Sequence, residues 1–180
     1  MREAFAVEIE GTKPYLQHAF KGESRATKKR GVKPTIEEDC EEALYRDANG
    51  HIYVPSMQLE ASMKNASTAF KFKGRSSYYA LVVGGISVEP LEIPMNPQKF
   101  EPFVTGVVIG HARVMKARPM FKDWRLGFRI ISTDERLTEA AIKEILTEAG
   151  QTKGIGDWRP KFGLYKIHSW RKELNSSSIA

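Results

Sequence analysis

Cysteine is almost missing from this chain: among its 180 residues the only one is Cys40. A lone cysteine closes no internal disulfide, so nothing in the sequence asks for an oxidising compartment. Cys40 lies within Glu38-Asp39-Cys40-Glu41-Glu42, and those charges oppose formation of a thiolate, which argues against a nucleophilic cysteine. Long apolar runs are missing too. None approaches the roughly 20 residues that a bilayer-spanning helix needs, and acids interrupt residues 1–10 where a signal peptide would be apolar. The expectation is a cytoplasmic protein with no membrane partner. The histidines, His18, His51, His111 and His168, are scattered and share no ligand spacing with Cys40, so no metal is expected. No Gly-x-Ser-x-Gly elbow, Walker loop or zinc-protease pattern is present. No cofactor and no small-molecule substrate are expected.

What the chain does have is an excess of basic charge, 28 Lys+Arg against 22 Asp+Glu for a formal +6, which favours a polyanionic partner. Residues 21–33 concentrate it: Lys21, Arg25, Lys28, Lys29, Arg30 and Lys33 stand against the single acid Glu23. With no periodic apolar stripe the segment reads as a loop, either simply solvated or an arm that orders on nucleic acid. An acidic patch, 37–42, follows at once and reads as a solvated loop in preference to a general base built from Asp39, Glu41, Glu42 or Asp47.

The regular elements follow from periodicity. Phe5, Val7 and Ile9 alternate with smaller and charged residues, as do Trp124, Leu126, Phe128 and Ile130 with Arg125, Gly127 and Arg129; both are half-buried strands. Asn49-Gly50 suits a tight hairpin turn between 43–46 and 51–54. Pro55 ends that strand, Ser56 can cap a helix, and Leu59, Met63, Ala66 and Phe70 recur at helical spacing. Segments 78–83 and 86–93 look extended, but Pro90, Pro94, Pro97 and Pro102 keep that region out of a central sheet. Segments 104–109 and 112–116 can pair across Gly110. Thr138 caps a helix in which Leu137 staples onto Ile142, Ile145 and Leu146 share the stripe, and Gly150 suits the left-handed residue that ends it. A short strand, 164–167, precedes a frayed tail, 175–180. The fold class is therefore α+β: a ferredoxin-like or RRM-like antiparallel sheet with two helices on one face, plus an inserted hairpin and long loops, in a single domain over 1–174. Phe5, Val7, Ile9, Trp124, Leu126, Phe128 and Ile130 should share one core with Leu137, Ile142, Ile145 and Leu146.

Two stretches carry candidate chemistry. In Gly154-Ile155-Gly156-Asp157-Trp158-Arg159-Pro160-Lys161-Phe162-Gly163 a helix leads in and a strand follows, the reverse of a dinucleotide-binding loop. Glycines there let backbone N–H groups approach a phosphate, Lys153, Arg159 and Lys161 add charge, and Trp158 offers a stacking face. The bland reading is an ordinary loop with a buried tryptophan. In 70–79, Phe70, Phe72, Tyr78 and Tyr79 interleave with Lys71, Lys73 and Arg75, which suits cations on phosphates and rings on bases; the bland reading is a strand with one core face.

Two of these regions resemble the RAMP superfamily of CRISPR-associated proteins, its backbone subunits above all. Arg46, Asp47, Gly50, Tyr53, Val54, Pro55, Leu59 and Lys64 match a family pattern in which Arg-Asp, a glycine turn and a Tyr-Ile-Pro strand lead into an RNA-contacting helix. Ser56, Met57, Gln58 and Glu60 depart from it, Glu60 standing where the family has a lysine. The glycine-rich loop occupies the family's own place between the last helix and last strand. The resemblance implies a non-enzymatic subunit that binds single-stranded guide RNA (or DNA), self-associates along it in a CRISPR-effector-like complex and serves antiviral defense, or a reduced phage or mobile-element relative of one. Some relatives cut target RNA with an Asp before the Arg-Asp; Asp39 is the nearest here, and the spacing does not match. Two alternatives are a metal-independent endoribonuclease using His18 or His51 with a lysine, and a phage structural or interaction protein without nucleic acid.

Overall fold

A computed structural model describes residues 2–19 and 34–173. The basic segment with Lys21, Arg25, Lys28, Lys29, Arg30 and Lys33, and the tail from 174 on, lie outside the described residues. Strand β1 (Glu3–Gly11) is followed by β2 (Tyr15–Leu16), α1 (Ile36–Ala43), β3 (Tyr53–Pro55), α2 (Ser56–Ala66), β4 (Lys71–Lys73), β5 (Ser76–Ser77), α3 (Tyr79–Gly85), β6 (Ile86–Glu89) and β7 (Glu92–Pro94). The long strands β8 (Glu101–Ile109), β9 (Ala112–Phe121) and β10 (Arg125–Ser132), helix α4 (Glu139–Glu148) and β11 (Tyr165–Glu173) complete the chain.

The main sheet is four-stranded and antiparallel, in the order β11-β1-β10-β6. With α2 between β1 and β6 and α4 between β10 and β11, this is the ferredoxin-like β-α-β-β-α-β arrangement. Alternation sets which side is buried: Phe5 faces Ile130, Val7 faces Phe128 and Ile9 faces Leu126 across the β1–β10 register. Trp124, just before β10, and Leu137, just before α4, lie in the same buried cluster with these strand residues and with Ile142, Ile145 and Leu146 of α4, as the two periodicities require. Trp124 closes its floor, its indole Nε1 donating to the Lys13 carbonyl at 2.9 Å. Thr138 caps α4, accepting from the Ala141 N–H at 3.2 Å. Pro90 follows β6 directly, and β6 is the sheet edge, where a proline costs no ladder bond.

Several elements depart from the sequence expectations, each for a physical reason. The acidic stretch expected as a loop is helix α1, because Thr35 and Glu38 form a reciprocal capping box. Segment 78–83, expected extended, is mostly helix α3: Leu81, Val82 and Gly85 are buried while Val83 and Gly84 face solvent, and a short apolar run has no period to separate the two states. The turn at Asn49-Gly50 forms, but its hairpin shrinks to one bridge, Arg46 to Ile52, because β3 pairs with β7. Ser56 does not cap α2; Pro55 occupies the cap position and Ser56 is the first, buried, helical residue. Helix α4 does not end at Gly150 but runs on through a π turn, Ala149–Lys153, to Gly154. Gly150 is there for contact: a Cβ would stand 2.4 Å from the Tyr165 carbonyl oxygen. The ribbon across Gly110 is longer than expected, nine paired residues on each side, and β9 also pairs with β2. Strand β11 likewise extends well beyond 167, its polar outer residues having masked the pattern.

Candidate nucleic-acid interface

Beside the glycine-rich stretch lies an open groove of about 490 Å³ lined by His18, Tyr45, Pro55, Met57, Gln58, Ala61, Gly156, Asp157 and Arg159. One wall is the start of α2. Among the described residues no side chain caps that helix, so apart from the Ser56 N–H, which donates to the Leu91 carbonyl at 2.9 Å, its first-turn donors and positive dipole end are turned to the groove. The other wall is the glycine-rich loop. Segments 46–64 and 154–163, far apart in sequence, therefore meet at one place.

The loop's shape comes from internal bonds. The Gly154 N–H donates to the Ala149 carbonyl, Ile155 to Gly163, Asp157 to Leu16 and Gly163 to Pro14, all at 2.8–3.0 Å. Gly156, at φ +83°, presses its α-carbon so close to β2 that a Cβ would meet the Leu16 oxygen at 2.4 Å. Gly154 thus spends its donor inside the fold. The N–H groups of Gly156, Arg159 and Lys161 have no backbone partner among the described residues and are the ones that can address an anion. Asp157 is held by the half-buried Arg118, Nε to Oδ2 3.3 Å, and stands 3.6 Å from His18 Nδ1.

Trp158 is neither core nor free. It is 38% exposed and sits edge-on to Phe103 of β8 at 5.9 Å, with Phe162 6.2 Å away, so part of its ring is open to solvent, and its chain neighbours Asp157 and Arg159 line the groove. Trp158→Ala should therefore weaken RNA binding by about 1–3 kcal/mol, while Trp158→Phe keeps much of it. Measuring affinity and Tm on the same protein separates this from a packing role: a large Tm loss with unchanged affinity per folded molecule would make the residue structural.

Other expected residues are dispersed. Lys64 is in the last turn of α2, about 12 Å along the axis from the helix start at 1.5 Å per residue. Lys71, Lys73 and Arg75 are exposed on the small β4–β5 hairpin beyond that end of α2, where Phe72 packs on Tyr78 at 5.3 Å. Lys153 is half-buried in the π turn, and Lys161 is exposed on the loop. Glu60, the departure from the family lysine, accepts from the Val88 N–H at 2.9 Å and pins α2 to β6. Arg46 forks onto Glu41 and donates to the Gly50 carbonyl, while Asp47 accepts from the N–H groups of Asn49 and His51; the Arg-Asp pair staples the turn. The backbone bonds from His51 foremost hold the Asp47 carboxyl below its usual range.

Asp39 is no candidate base. It is buried, bonded by Lys116 Nζ at 2.7 Å and by the Ala117 N–H at 3.3 Å, and so ties α1 to β9. Burial first, then Asp39, Glu37 and Glu41, raise the Cys40 thiol above its ordinary value. Among the described residues no cluster of His, Cys, Asp and Glu has metal-binding geometry, and no described helix is long and apolar enough to cross a membrane.

The sheet face opposite the helices is also a poor strand-binding platform. Glu10 takes Arg125 at 3.1 Å, Lys166 at 2.8 Å and His168 at 3.3 Å, and Arg129 takes Glu173 at 2.7 Å and Glu89 at 3.3 Å. These pairs neutralise each other, and the Lys166 bond holds the Glu10 carboxyl below its usual range. An RRM reads RNA with aromatic rings on that face; here it carries charge pairs.

No family model matches the chain, and no curated protein matches it. Among solved structures, the fold is shared with a chain from the cryo-EM structure of the Type III-B Cmr-beta bound to cognate target RNA, at a TM-score of 0.61 and 11% sequence identity. The match covers 95% of this chain and 60% of that one, so the chain spans less than two thirds of the protein chain it resembles. At that identity the likeness establishes the α+β, ferredoxin-like fold.

Proposed function

We propose that this chain is a non-enzymatic RNA-binding subunit that holds an extended single strand, a guide RNA, and assembles side by side along it in a CRISPR-effector-like complex. The observation that carries the proposal is the convergence of segments 46–64 and 154–163 on one groove. That groove combines a helix start with no side-chain cap among the described residues, the Arg159 side chain and backbone donors of the glycine-rich loop, with the half-exposed Trp158 next in the chain. These are the elements of phosphate holding and base stacking, with little that reads sequence in the phosphate contacts themselves. The fold match to a chain of an RNA-bound Type III-B complex supports the same assignment. In this reading the protein works in the cytoplasm in antiviral defense, in contact with further copies of itself. Lys21, Arg25, Lys28, Lys29, Arg30 and Lys33, with Lys64, Lys71, Lys73, Arg75, Lys153 and Lys161, supply the cations proposed to contact the strand's phosphates.

His18 favours one rival: it lines the groove beside Asp157, where a metal-independent ribonuclease would keep its proton carrier. The experiment is purification followed by absorbance ratio and nuclease digestion of any co-purifying nucleic acid, then incubation of labelled RNA with excess chelator. The proposal predicts bound, intact, ribonuclease-sensitive RNA. Cleavage abolished by His18→Ala would establish the rival, and the absence of any salt-dependent binding would point to a structural or interaction protein.

A further inference from the structure

We propose that the groove seats one unstacked base of the strand and selects uracil or guanine, which carry a carbonyl oxygen (O4 or O6) where cytosine and adenine carry an amino group, with Gln58 as the residue that reads it. This rests on the strand-binding function proposed above and deepens it.

The argument is a chain of hydrogen bonds in which each link fixes the next. Gln17 is fully buried. Its Oε1 accepts from the Tyr45 N–H at 3.0 Å, which orients the amide, and its Nε2 donates to the Tyr53 carbonyl at 2.7 Å and to Tyr15 Oη at 3.4 Å. Tyr15 is fully buried as well, and burial pushes its phenol far above the ordinary value, so it keeps its proton. Having accepted from Gln17, Tyr15 Oη donates to Gln58 Oε1 at 3.1 Å. The carbonyl end of the Gln58 amide is thereby turned inward, and its NH₂ is the end left for the groove that Gln58 lines. That NH₂ makes no hydrogen bond among the described residues.

The rest of the groove fits the same ligand. Its volume of about 490 Å³ falls in the range of roughly 300–1,000 Å³ usual for small-ligand sites. Tyr45, Pro55, Met57 and Ala61 supply an apolar bed, and Arg159 with the α2 start lies where the attached phosphate would leave. The acceptor on the wall, Asp157, is already engaged by Arg118, His18 and the Trp158 N–H. Beside Gln58 the remaining capacity is rich in donors, its own NH₂, the Arg159 guanidinium and the first-turn N–H groups of α2. Uracil offers a carbonyl acceptor where cytosine offers an amino donor, and single-stranded RNA is read along that edge once a base is unstacked.

Uracil and cytosine oligoribonucleotides of equal length, labelled at one end and titrated by fluorescence anisotropy, test the proposal directly. The wild-type chain is expected to bind the uracil strand at least about fivefold more tightly, the lower end of discrimination by directed base contacts. Gln58→Glu keeps an acceptor for Tyr15 but replaces the donors with an oxygen, so the ratio should reverse. Tyr15→Phe frees the amide to flip, so the ratio should fall toward one with both strands still bound. A wild-type ratio of one with measurable binding overturns the base selection and leaves the strand-binding function standing. A ratio unchanged by both substitutions overturns the role of Gln58. Failure of the wild-type chain to bind either strand overturns both inferences.

Discussion

Gly163→Ala should lower the Tm of this protein by roughly 4–20 °C, a shift of about 2–4 °C accompanying each kcal/mol in a chain of this size. Two penalties add. Gly163 has φ +72°, and the left-handed region costs an L-residue about 1–2 kcal/mol. Its Cβ would also stand 1.8 Å from the Ile155 carbonyl oxygen, and relieving such an overlap costs typically about 1–3 kcal/mol. The move that relieves it breaks the bond from the Ile155 N–H to the Gly163 carbonyl, which closes the base of the glycine-rich loop. Calorimetric unfolding checks this. An unchanged Tm would mean that the two ends of the loop do not meet as described.

The second large effect is on affinity. Replacing Lys28, Lys29 and Arg30 together with Ala should weaken binding to every RNA sequence and reduce the slope of log K against log salt by about 2, each phosphate contact on a single strand contributing about 0.7. Such contacts act through released counterions and carry no sequence information. Titrations over a range of salt concentrations, with wild-type and triple variant side by side, give the slope. An identical slope would show that residues 21–33 are an ordinary solvated segment.

How much of this was legible beforehand depends on whether the signal was local. The strands with Phe5-Val7-Ile9 and Leu126-Phe128-Ile130 and the helix after Thr138 announce themselves, because a period and a cap are written within a few residues. They were enough to place the core and the fold class. Helix α1 was hidden because its charge suggested a loop, although Thr35 followed three residues later by Glu38 is a readable start signal. Helix α3 carried no such signal. The glycine-rich loop and segment 46–64 were both visible, but their meeting across one groove was not, since tertiary packing alone joins them. For the same reason Arg118, which steadies Asp157 from β9, Tyr45 and Gln17 carry no signal in their own stretches, and Gln58 shows in the sequence only as a departure from the family pattern. His18 stands out in the sequence only as a possible proton carrier, and its place on the groove wall follows from the fold. The glycines were read as openings for a ligand, whereas Gly154 and Gly156 mainly serve close packing of the chain on itself.

The central claim is that RNA lies in the groove between the start of α2 and the glycine-rich loop. Photocrosslinking the purified chain to a strand carrying 4-thiouridine, followed by mass spectrometry of the attached peptides, tests it most directly. The account predicts crosslinks at Tyr45, Met57 and Trp158, reduced when excess unlabelled single-stranded RNA competes. Crosslinks confined to the paired-charge face of the sheet, around Lys166, His168 and Arg171, would contradict it.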